Sequence, residues 1–237
     1  MEKYTIHPLE DAFYIADFIT EAEEAYLLQK ITTAPLPRWK TLTHRRLQTY
    51  PSPLTPTNAL LASPLPPWLV NPIITPRFDD LNLFVDSPHK HPNHVLVNEY
   101  RPGQGIMPHE DGGAYHPLVA TVSLGGAIVL DLYDKGNNEN GDTRQGRDRG
   151  PKYRVLQERR SLLVTRGRVY RDYLHGIAER GTDEGLNEDS ICNWGLLGEP
   201  ERYGCGWYKR ETRISLTYRD VLKVAKLGNT MKFLNKQ

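Results

Sequence analysis

Four stretches constrain the fold most, because they are rich in β-branched and apolar residues and are split by glycine. They read NHVLVNEY, LVATVSLGGAIVLDLY, RSLLVTRGRVYRDYLHGI and TRISLTYRDV, and they extend from about residue 93 to about residue 222. Several short strands with glycine-marked turns are typical of a β-sandwich or a β-barrel. The sequence therefore predicts a mainly β core.

The N-terminal part of the chain contains a predicted strand and a predicted helix. The stretch AFYIADFI, residues 12–19, is apolar and aromatic, which favours a strand. Thr20 then begins TEAEEAYLLQKI, in which Glu23 completes a capping box and apolar residues line one side of a helix. The prolines at 35 and 37 end this helix.

Three segments lack the β pattern. The proline-rich residues 36–76 include the basic and aromatic RWKTLTHRRLQTY (residues 38–50) and LPPWLVNPII, which fits either a short buried helix or a strand. DKGNNENGDTRQGRDRGPKYR, residues 134–154, has almost no apolar residues and predicts a mobile loop. Residues 181–210 begin acidic and end aromatic and glycine-rich.

Charge and cysteine content exclude several classes of protein. The formal net charge is +1, so the overall charge gives no argument for nucleic-acid binding. Cys192 and Cys205 are too few for a secreted disulfide framework, and neither lies in a Cys-x-x-Cys pair, which argues against zinc and for free thiols. The polar N-terminus lacks the features of a signal peptide, and no apolar stretch approaches the ~20 residues that span a bilayer. We expect a soluble, intracellular protein with no membrane partner.

The segment NEYRPGQGIMPHEDGGAYHP contains the beginning of a metal site. His109 and Asp111 are separated by one residue, so they point the same way on an extended strand. His175, in the next strong β segment, is the candidate third ligand. Two imidazoles and one carboxylate hold non-haem Fe(II) on one face and leave positions open, although a zinc hydrolase would accept the same ligands.

The stretch RISLTYR narrows the chemistry. Its alternate residues place two guanidinium groups and two hydroxyl groups on one face of a strand, namely those of Arg213, Ser215, Thr217 and Arg219. A buried arginine without a partner is costly, whereas a carboxylate satisfies it through two hydrogen bonds. A dicarboxylate that chelates iron at one end and meets an arginine at the other accounts for both motifs.

In this combination the chain resembles the AlkB family of Fe(II)- and 2-oxoglutarate-dependent dioxygenases. The motifs that carry the resemblance occur in the family's order: Asn98-Glu99-Tyr100, His109-Glu110-Asp111, His175, and Arg213 to Arg219. The phrases NHVLVNEYRPGQGIMPHEDG, PPWL, RSLLVTRG and LHGIA indicate one branch of the family, and the resemblance covers most of the chain.

The resemblance implies a double-stranded β-helix, or jelly roll, with an N-terminal helix and lid elements. It implies one domain over residues 1–237, made of an N-terminal extension (1–92), a jelly-roll core (93–222) and a basic tail (223–237). His109, Asp111 and His175 would hold Fe(II). Contacts to 2-oxoglutarate would come from Arg213, which pairs the distal carboxylate, and from Asn98, Tyr100, Ser215 and Arg219. The implied reaction consumes O2 and 2-oxoglutarate, and hydroxylates an N-methyl carbon that then leaves as formaldehyde.

The basic and aromatic segment lies where the family has its nucleotide-recognition lid. Aromatic rings stack on bases and arginines hold phosphates, which makes candidate lid residues of Trp39, Arg45, Arg46 and Tyr50. The alternative is a proline-rich surface wrap anchored by Trp39. The chain departs from the family pattern at one position that bears on the substrate. DNA-repair members carry an acid two residues beyond the metal aspartate, where it contacts the alkylated base, and this chain has Gly113 there.

Three functions remain open from the sequence. The first is an oxidative demethylase of alkylated nucleic acid in the cytoplasm and nucleus, with RNA or single-stranded DNA favoured because an exposed base costs less to unstack. The second is an oxygenase of protein side chains, and the third is a weakly active, metal-bound nucleic-acid-binding protein. The histidine-rich HKHPNH, residues 89–94, is interpreted as a loop rather than as a metal site.

Overall fold

The structure is a computed structural model, and it describes residues 1–135 and 150–225. The greater part of the predicted loop at 134–154 and of the tail at 223–237 lies outside these residues. In chain order the strands are β1 (Thr5–Ile6), β2 (Leu9–Ile15), β3 (Lys40–Leu42), β4 (Arg45–Tyr50), β5 (Leu60–Leu61), β6 (His94–Tyr100), β7 (Ile106–His109), β8 (Tyr115–Gly125), β9 (Ile128–Asp134), β10 (Tyr153–Gln157), β11 (Leu162–Arg166), β12 (Tyr173–Ile177), β13 (Thr182–Glu184), β14 (Trp207–Lys209), β15 (Arg213–Val221) and β16 (Val224–Ala225).

The helical elements are few and short. They are α1 (Glu21–Thr32), α2 (Pro67–Val70), α3 (Gly167–Asp172), a kinked segment at Ile73–Phe78, and 3-10 turns at Glu2–Tyr4, Leu36–Arg38, Trp194–Leu196 and Pro200–Tyr203. The stretch LPPWLVNPII, left open between helix and strand, is therefore helical in part. No helix among the described residues is long and apolar enough to cross a membrane.

Two sheets form the core. The large sheet has eight strands in the order β1-β2-β11-β8-β15-β6-β4-β3, and the small sheet has four in the order β10-β9-β12-β7. This is the mainly β, double-stranded β-helix that the sequence predicted. Four strands that precede residue 93 join the large sheet, so the N-terminal region extends the core sheet at both edges.

Helix α1 begins and ends where the sequence predicts. Thr20 Oγ1 accepts a hydrogen bond from the Glu23 amide (3.2 Å), and the Glu23 carboxylate accepts one from the Thr20 amide (2.7 Å). This confirms the predicted capping box. The strand predicted at residues 12–19 is wrong at its end, because β2 stops at Ile15 and Asp17 adopts a positive φ of 45° in the turn that leads to the helix.

The main apolar core lies on the outer face of the large sheet. Alternate residues of β6 and β15 pack there against α1 and the helical segments that follow α2, and they include Val95, Val97, Ile214, Leu216 and Tyr218. Strand β15 is buried along its whole length between β8 and β6. Its other residues, Arg213, Ser215, Thr217 and Arg219, therefore face the small sheet, which confirms the predicted alternation.

Residues 181–210 pack as a compact insertion against the small sheet. Strands β13 and β14 pair with each other, and Leu186, Ile191 and Tyr203 contact a patch that β9 and β10 contribute. Arg210, the last residue of the insertion, is buried and donates two hydrogen bonds of 2.7 Å to the carboxylate of Asp183 near its beginning. This ion pair joins the two ends of the insertion. Trp194 packs in this cluster, whereas Trp207 is exposed.

Candidate active site

Three potential metal ligands converge where β7 meets β12. The two strands are antiparallel and place His109 opposite His175, with the ring centroids 4.3 Å apart. Asp111 follows in the loop after β7. One ligand atom from each of the three residues lies within 4.8 Å of the other two, and this is the one such cluster found in residues 1–135 and 150–225. Two imidazoles and one carboxylate are the donor set that suits Fe(II).

Two glycines let β7 lie close enough to β12. A Cβ atom at Gly105 would come 2.2 Å from the carbonyl oxygen of Ile177, and one at Gly176 would come 3.0 Å from the nitrogen of Pro108. A side chain at either position would force the strands apart. The glycines in GQGIMPHED and LHGIA thus set the spacing between the two imidazoles.

The protonation states of the two histidines suit metal binding. The Met107 carbonyl lies 3.0 Å from His109 Nδ1, so a proton on Nδ1 is hydrogen-bonded and Nε2 is left with its lone pair. Burial lowers the pKa of His109, and burial lowers the pKa of His175 to about 4, so both imidazoles are neutral at pH 7. Asp111 forms an ion pair with Arg219.

A second feature of the site is a buried arginine that has no carboxylate partner among the described residues. Arg213 is 2 % exposed, and its Nη2 donates to Ser123 Oγ (2.8 Å) and to Gln157 Oε1 (3.0 Å). Its Nε has no hydrogen-bond partner among the described residues. Burial lowers the pKa of this guanidinium to about 10. A buried cation in this state indicates that an anion binds beside it.

Both features line one cavity of about 300 Å³ between the two sheets, called here the central cavity. All eight residues that the sequence assigned to metal and 2-oxoglutarate line it: Asn98, Tyr100, His109, Asp111, His175, Arg213, Ser215 and Arg219. Sequence reasoning missed other parts of the wall, which include Tyr115, Gln157 and Tyr170. Tyr170, on α3, donates to the carbonyl of Gly112 (2.9 Å), and no local motif marks it.

The four candidate lid residues do not lie together in the structure. Arg45 lines the central cavity, and its Nε donates to Asn98 Oδ1 (3.3 Å). Arg46 lies on the opposite face of β4, where it makes two hydrogen bonds to Glu99 (2.7 and 2.6 Å) and its Cζ lies 4.0 Å from the centre of the Trp39 ring. Tyr50 is 5 % exposed and packs in the main core. The structure thus brings only Arg45 to the cavity, because neighbouring strand residues point to opposite faces.

The β3–β4 hairpin spans from the large sheet to the small sheet. At its tip, His44 Nδ1 lies 3.1 Å from the Glu179 carboxylate, just beyond β12. This contact links the edge of the large sheet to the segment that follows β12 of the small sheet.

The histidine-rich stretch HKHPNH and the two cysteines lie outside the metal-ligand cluster, and His94, the last residue of that stretch, begins β6 rather than belonging to a loop. In HKHPNH, His89 pairs with Asp220 (2.6 Å) and His91 lies 3.5 Å from Asp79, and neither belongs to the metal-ligand cluster. Cys192 and Cys205 are free.

Comparison with known proteins identifies the class of protein that this fold and site define. The model of the 2OG-Fe(II) oxygenase superfamily matches residues 30–219. The chain is 40 % identical to "Probable RNA/DNA demethylase ALKBH6" of Danio rerio, with 94 % of this chain and 92 % of that protein aligned. It is 33 % identical to the tRNA (carboxymethyluridine(34)-5-O)-methyltransferase alkbh8 of Xenopus tropicalis, over 55 % of this chain and 18 % of that protein.

Among solved structures, OsALKBH1 is similar in fold, with a TM-score of 0.53, 15 % identity and coverage of 89 % of this chain and 98 % of that one. The chain therefore belongs to the 2OG-Fe(II) oxygenase superfamily, within which the resemblance to AlkB proteins expected from its sequence is confirmed. It is an oxidoreductase that uses Fe(II), with 2-oxoglutarate and O2 as co-substrates.

Proposed function

We propose that this protein is an oxidative demethylase of N-alkylated nucleic acid. The similarity to a relative described as a probable RNA/DNA demethylase supports this substrate class. The observation that carries the chemistry is the shared cavity, in which the His109, Asp111 and His175 cluster lies beside the buried and unpaired charge of Arg213. A cavity between two sheets requires an extruded base, so we favour RNA or single-stranded DNA, where unstacking costs least. The compartments we propose are the cytoplasm and nucleus.

The assignment of roles follows from the donor groups. We propose that His109, Asp111 and His175 hold Fe(II), since their donor atoms fit its preferred ligand set. Arg213 pairs the distal carboxylate of 2-oxoglutarate, because its Nε lacks any other partner among the described residues. The polar groups that complete the co-substrate pocket are those of Asn98, Tyr100, Ser215 and Arg219.

When bound, the ferrous ion and 2-oxoglutarate supply oxidation of a C–H bond by O2, with release of succinate and CO2. The protein's own contribution is to bind and orient. The Met107 carbonyl fixes the ring of His109, and the ion pair of Asp111 with Arg219 fixes the carboxylate. Leu130, Leu132 and Ile177 form an apolar wall of the cavity, which excludes water from the methyl group.

The test is mass spectrometry of modified RNA, single-stranded DNA and protein pools after incubation with the enzyme, Fe(II), 2-oxoglutarate and O2. The control is a His109→Ala/Asp111→Ala variant. We expect methyl marks to disappear from nucleic acid, with formaldehyde and succinate released only by the wild-type protein. Loss of marks from protein alone would favour the protein-oxygenase alternative. Absence of succinate release would favour the third function, a weakly active, metal-bound nucleic-acid-binding protein.

A further inference from the structure

The central cavity carries more positive than negative charge. Three guanidinium groups line it, those of Arg45, Arg213 and Arg219. Among the described residues only two carboxylates line it. Asp111 is paired with Arg219, and Glu110, whose side chain is 58 % exposed, is paired with Lys135.

Two of these cations match the proposed co-substrate, but the third does not. Arg213 and Arg219 offset the two carboxylates of 2-oxoglutarate, and Asp111 offsets half of the charge of the ferrous ion. Arg45 has no carboxylate partner among the described residues. The hydrogen bond from its Nε to Asn98 Oδ1 leaves the two terminal amino groups of the guanidinium as donors into the cavity.

Arg45 is held at a defined place in the fold. It begins β4 directly after His44, the tip of the β3–β4 hairpin, whose Nδ1 lies 3.1 Å from the Glu179 carboxylate. It lines the same cavity as His109, Asp111 and His175. The two acids of the loop after β7, Glu110 and Asp111, are already paired with Lys135 and Arg219. Position 113 of the same loop is an exposed glycine, and a Cβ built there meets no atom within 4 Å.

We propose that Arg45 determines substrate specificity, by donating hydrogen bonds to an acceptor on a neutral N-methylated base and by repelling methylated bases that carry a positive charge. This inference rests on the proposed function and names its substrate class. A neutral base with a carbonyl oxygen satisfies the free donors of the guanidinium, whereas a cationic base would meet an uncompensated charge and bring an amino group to a donor. Discrimination of this kind comes from leaving buried polar groups unpaired with the wrong substrate.

The test uses two oligonucleotides of one sequence that carry a single 3-methyluracil or a single 3-methylcytosine. The two bases have nearly the same shape, but the first is neutral with a carbonyl oxygen where the second is cationic with an amino group. We expect kcat/KM for formaldehyde release to favour 3-methyluracil by about tenfold or more, which corresponds to one hydrogen bond to a charged donor. Arg45→Gln should bring the ratio near one by raising KM for 3-methyluracil, and Arg45→Lys should restore part of it.

Two further variants test the charge argument. Arg46→Gln makes the same chemical change one residue along the strand, on the opposite face, and should leave the ratio unchanged. Gly113→Asp has room for its side chain and should shift the preference toward 3-methylcytosine. A wild-type preference for 3-methylcytosine, or an unchanged ratio in Arg45→Gln, would overturn the inference. So would a rise in KM for 2-oxoglutarate in Arg45→Gln without change in the ratio, because Arg45 would then serve the co-substrate.

Failure of the proposed function has a different signature, namely no formaldehyde from either oligonucleotide. In that event the affinities of the Mn(II)- and 2-oxoglutarate-loaded protein for the two oligonucleotides decide the inference. A preference for 3-methyluracil that Arg45→Gln removes supports it, and equal affinities contradict it.

Discussion

At the scale of single residues, Arg213 shows how a binding site can oppose stability. Its guanidinium is buried beside Ser123 and Gln157, with no carboxylate among the described residues to offset its charge. We predict that Arg213→Met does not lower the melting temperature of the ligand-free protein, because an apolar side chain of similar length removes a costly buried charge. The same change should weaken 2-oxoglutarate binding roughly ten- to hundredfold, the contribution of hydrogen bonds to a charged group.

The measurement is calorimetric titration of 2-oxoglutarate into the Mn(II)-loaded protein, with thermal unfolding of the ligand-free form alongside. The matched control is Arg210→Met. Arg210 is an equally buried arginine, but it is paired with Asp183, so its loss should destabilise the fold by several kcal/mol. Equal 2-oxoglutarate affinity in wild type and Arg213→Met would refute the assigned role.

Buried histidines give the stability of the ligand-free protein a predictable pH dependence. Burial, with a further effect of Arg219, lowers the pKa of His94 to about 4, and burial lowers that of His175 to about 4. Unfolded histidines take up protons near pH 6.5, whereas these two stay neutral in the folded state until about pH 4. The unfolded state therefore binds more protons in this window, and stability falls as the pH falls.

We predict that the free energy of unfolding drops by roughly 2–3 kcal/mol for each of these histidines between pH 7 and pH 4.5, at about 1.4 kcal/mol per pKa unit. His94→Leu should remove one of the two contributions and so flatten the curve. Urea denaturation of the ligand-free protein at several pH values measures both slopes. A variant that loses as much stability as wild type on acidification would show that His94 is not held neutral.

At the scale of elements, the pairing of β7 with β12 sets the geometry of the metal-ligand cluster. Gly105 approaches the Ile177 carbonyl so closely that Gly105→Ala would have to move β7, and His109 with it. We predict that this variant remains folded but binds Fe(II) or Co(II) at least tenfold more weakly, as measured by metal titration. Gly113→Ala is the control, since an exposed glycine with open space around it should tolerate the methyl group.

The sequence predicted the elements whose own residues show a clear strand or helix pattern. The long apolar strands β6, β8 and β15, the capped helix α1 and the shared face of Arg213, Ser215 and Arg219 were expected from local pattern. The roles of the eight proposed metal and co-substrate residues were completed by the resemblance to the AlkB family. The short strands β1, β3 and β4 were not expected. Strands β1 and β3 have only two and three residues, too few to show an alternating pattern. Strand β4 is stabilised by pairing with the distant strand β6 rather than by its own residues. For the same reason, RWKTLTHRRLQTY gave no sign that Arg45 and Arg46 face opposite sides of the sheet.

At the scale of the whole molecule, the central cavity lies between two sheets that contribute different functions. The small sheet carries His109 and His175, whereas the large sheet carries Arg213 and Arg219. Asp111 belongs to the loop after β7 and pairs with Arg219, so this ion pair bridges the two sheets. A co-substrate that chelates the metal and also meets Arg213 would bridge them a second time.

This bridging predicts that metal and co-substrate stabilise the protein together more than the sum of their separate effects. A ligand at one hundred times its dissociation constant contributes about 2.7 kcal/mol, which raises the melting temperature of a chain of this size by roughly 5–10 °C. We expect Mn(II) with 2-oxoglutarate to reach this range in thermal unfolding, and 2-oxoglutarate alone to give little. Glutarate, a diacid of the same length without the keto group, should show no such synergy with Mn(II). If glutarate matched 2-oxoglutarate, the diacid would bind Arg213 without reaching the metal, and the two sheets would not be coupled through the ligand.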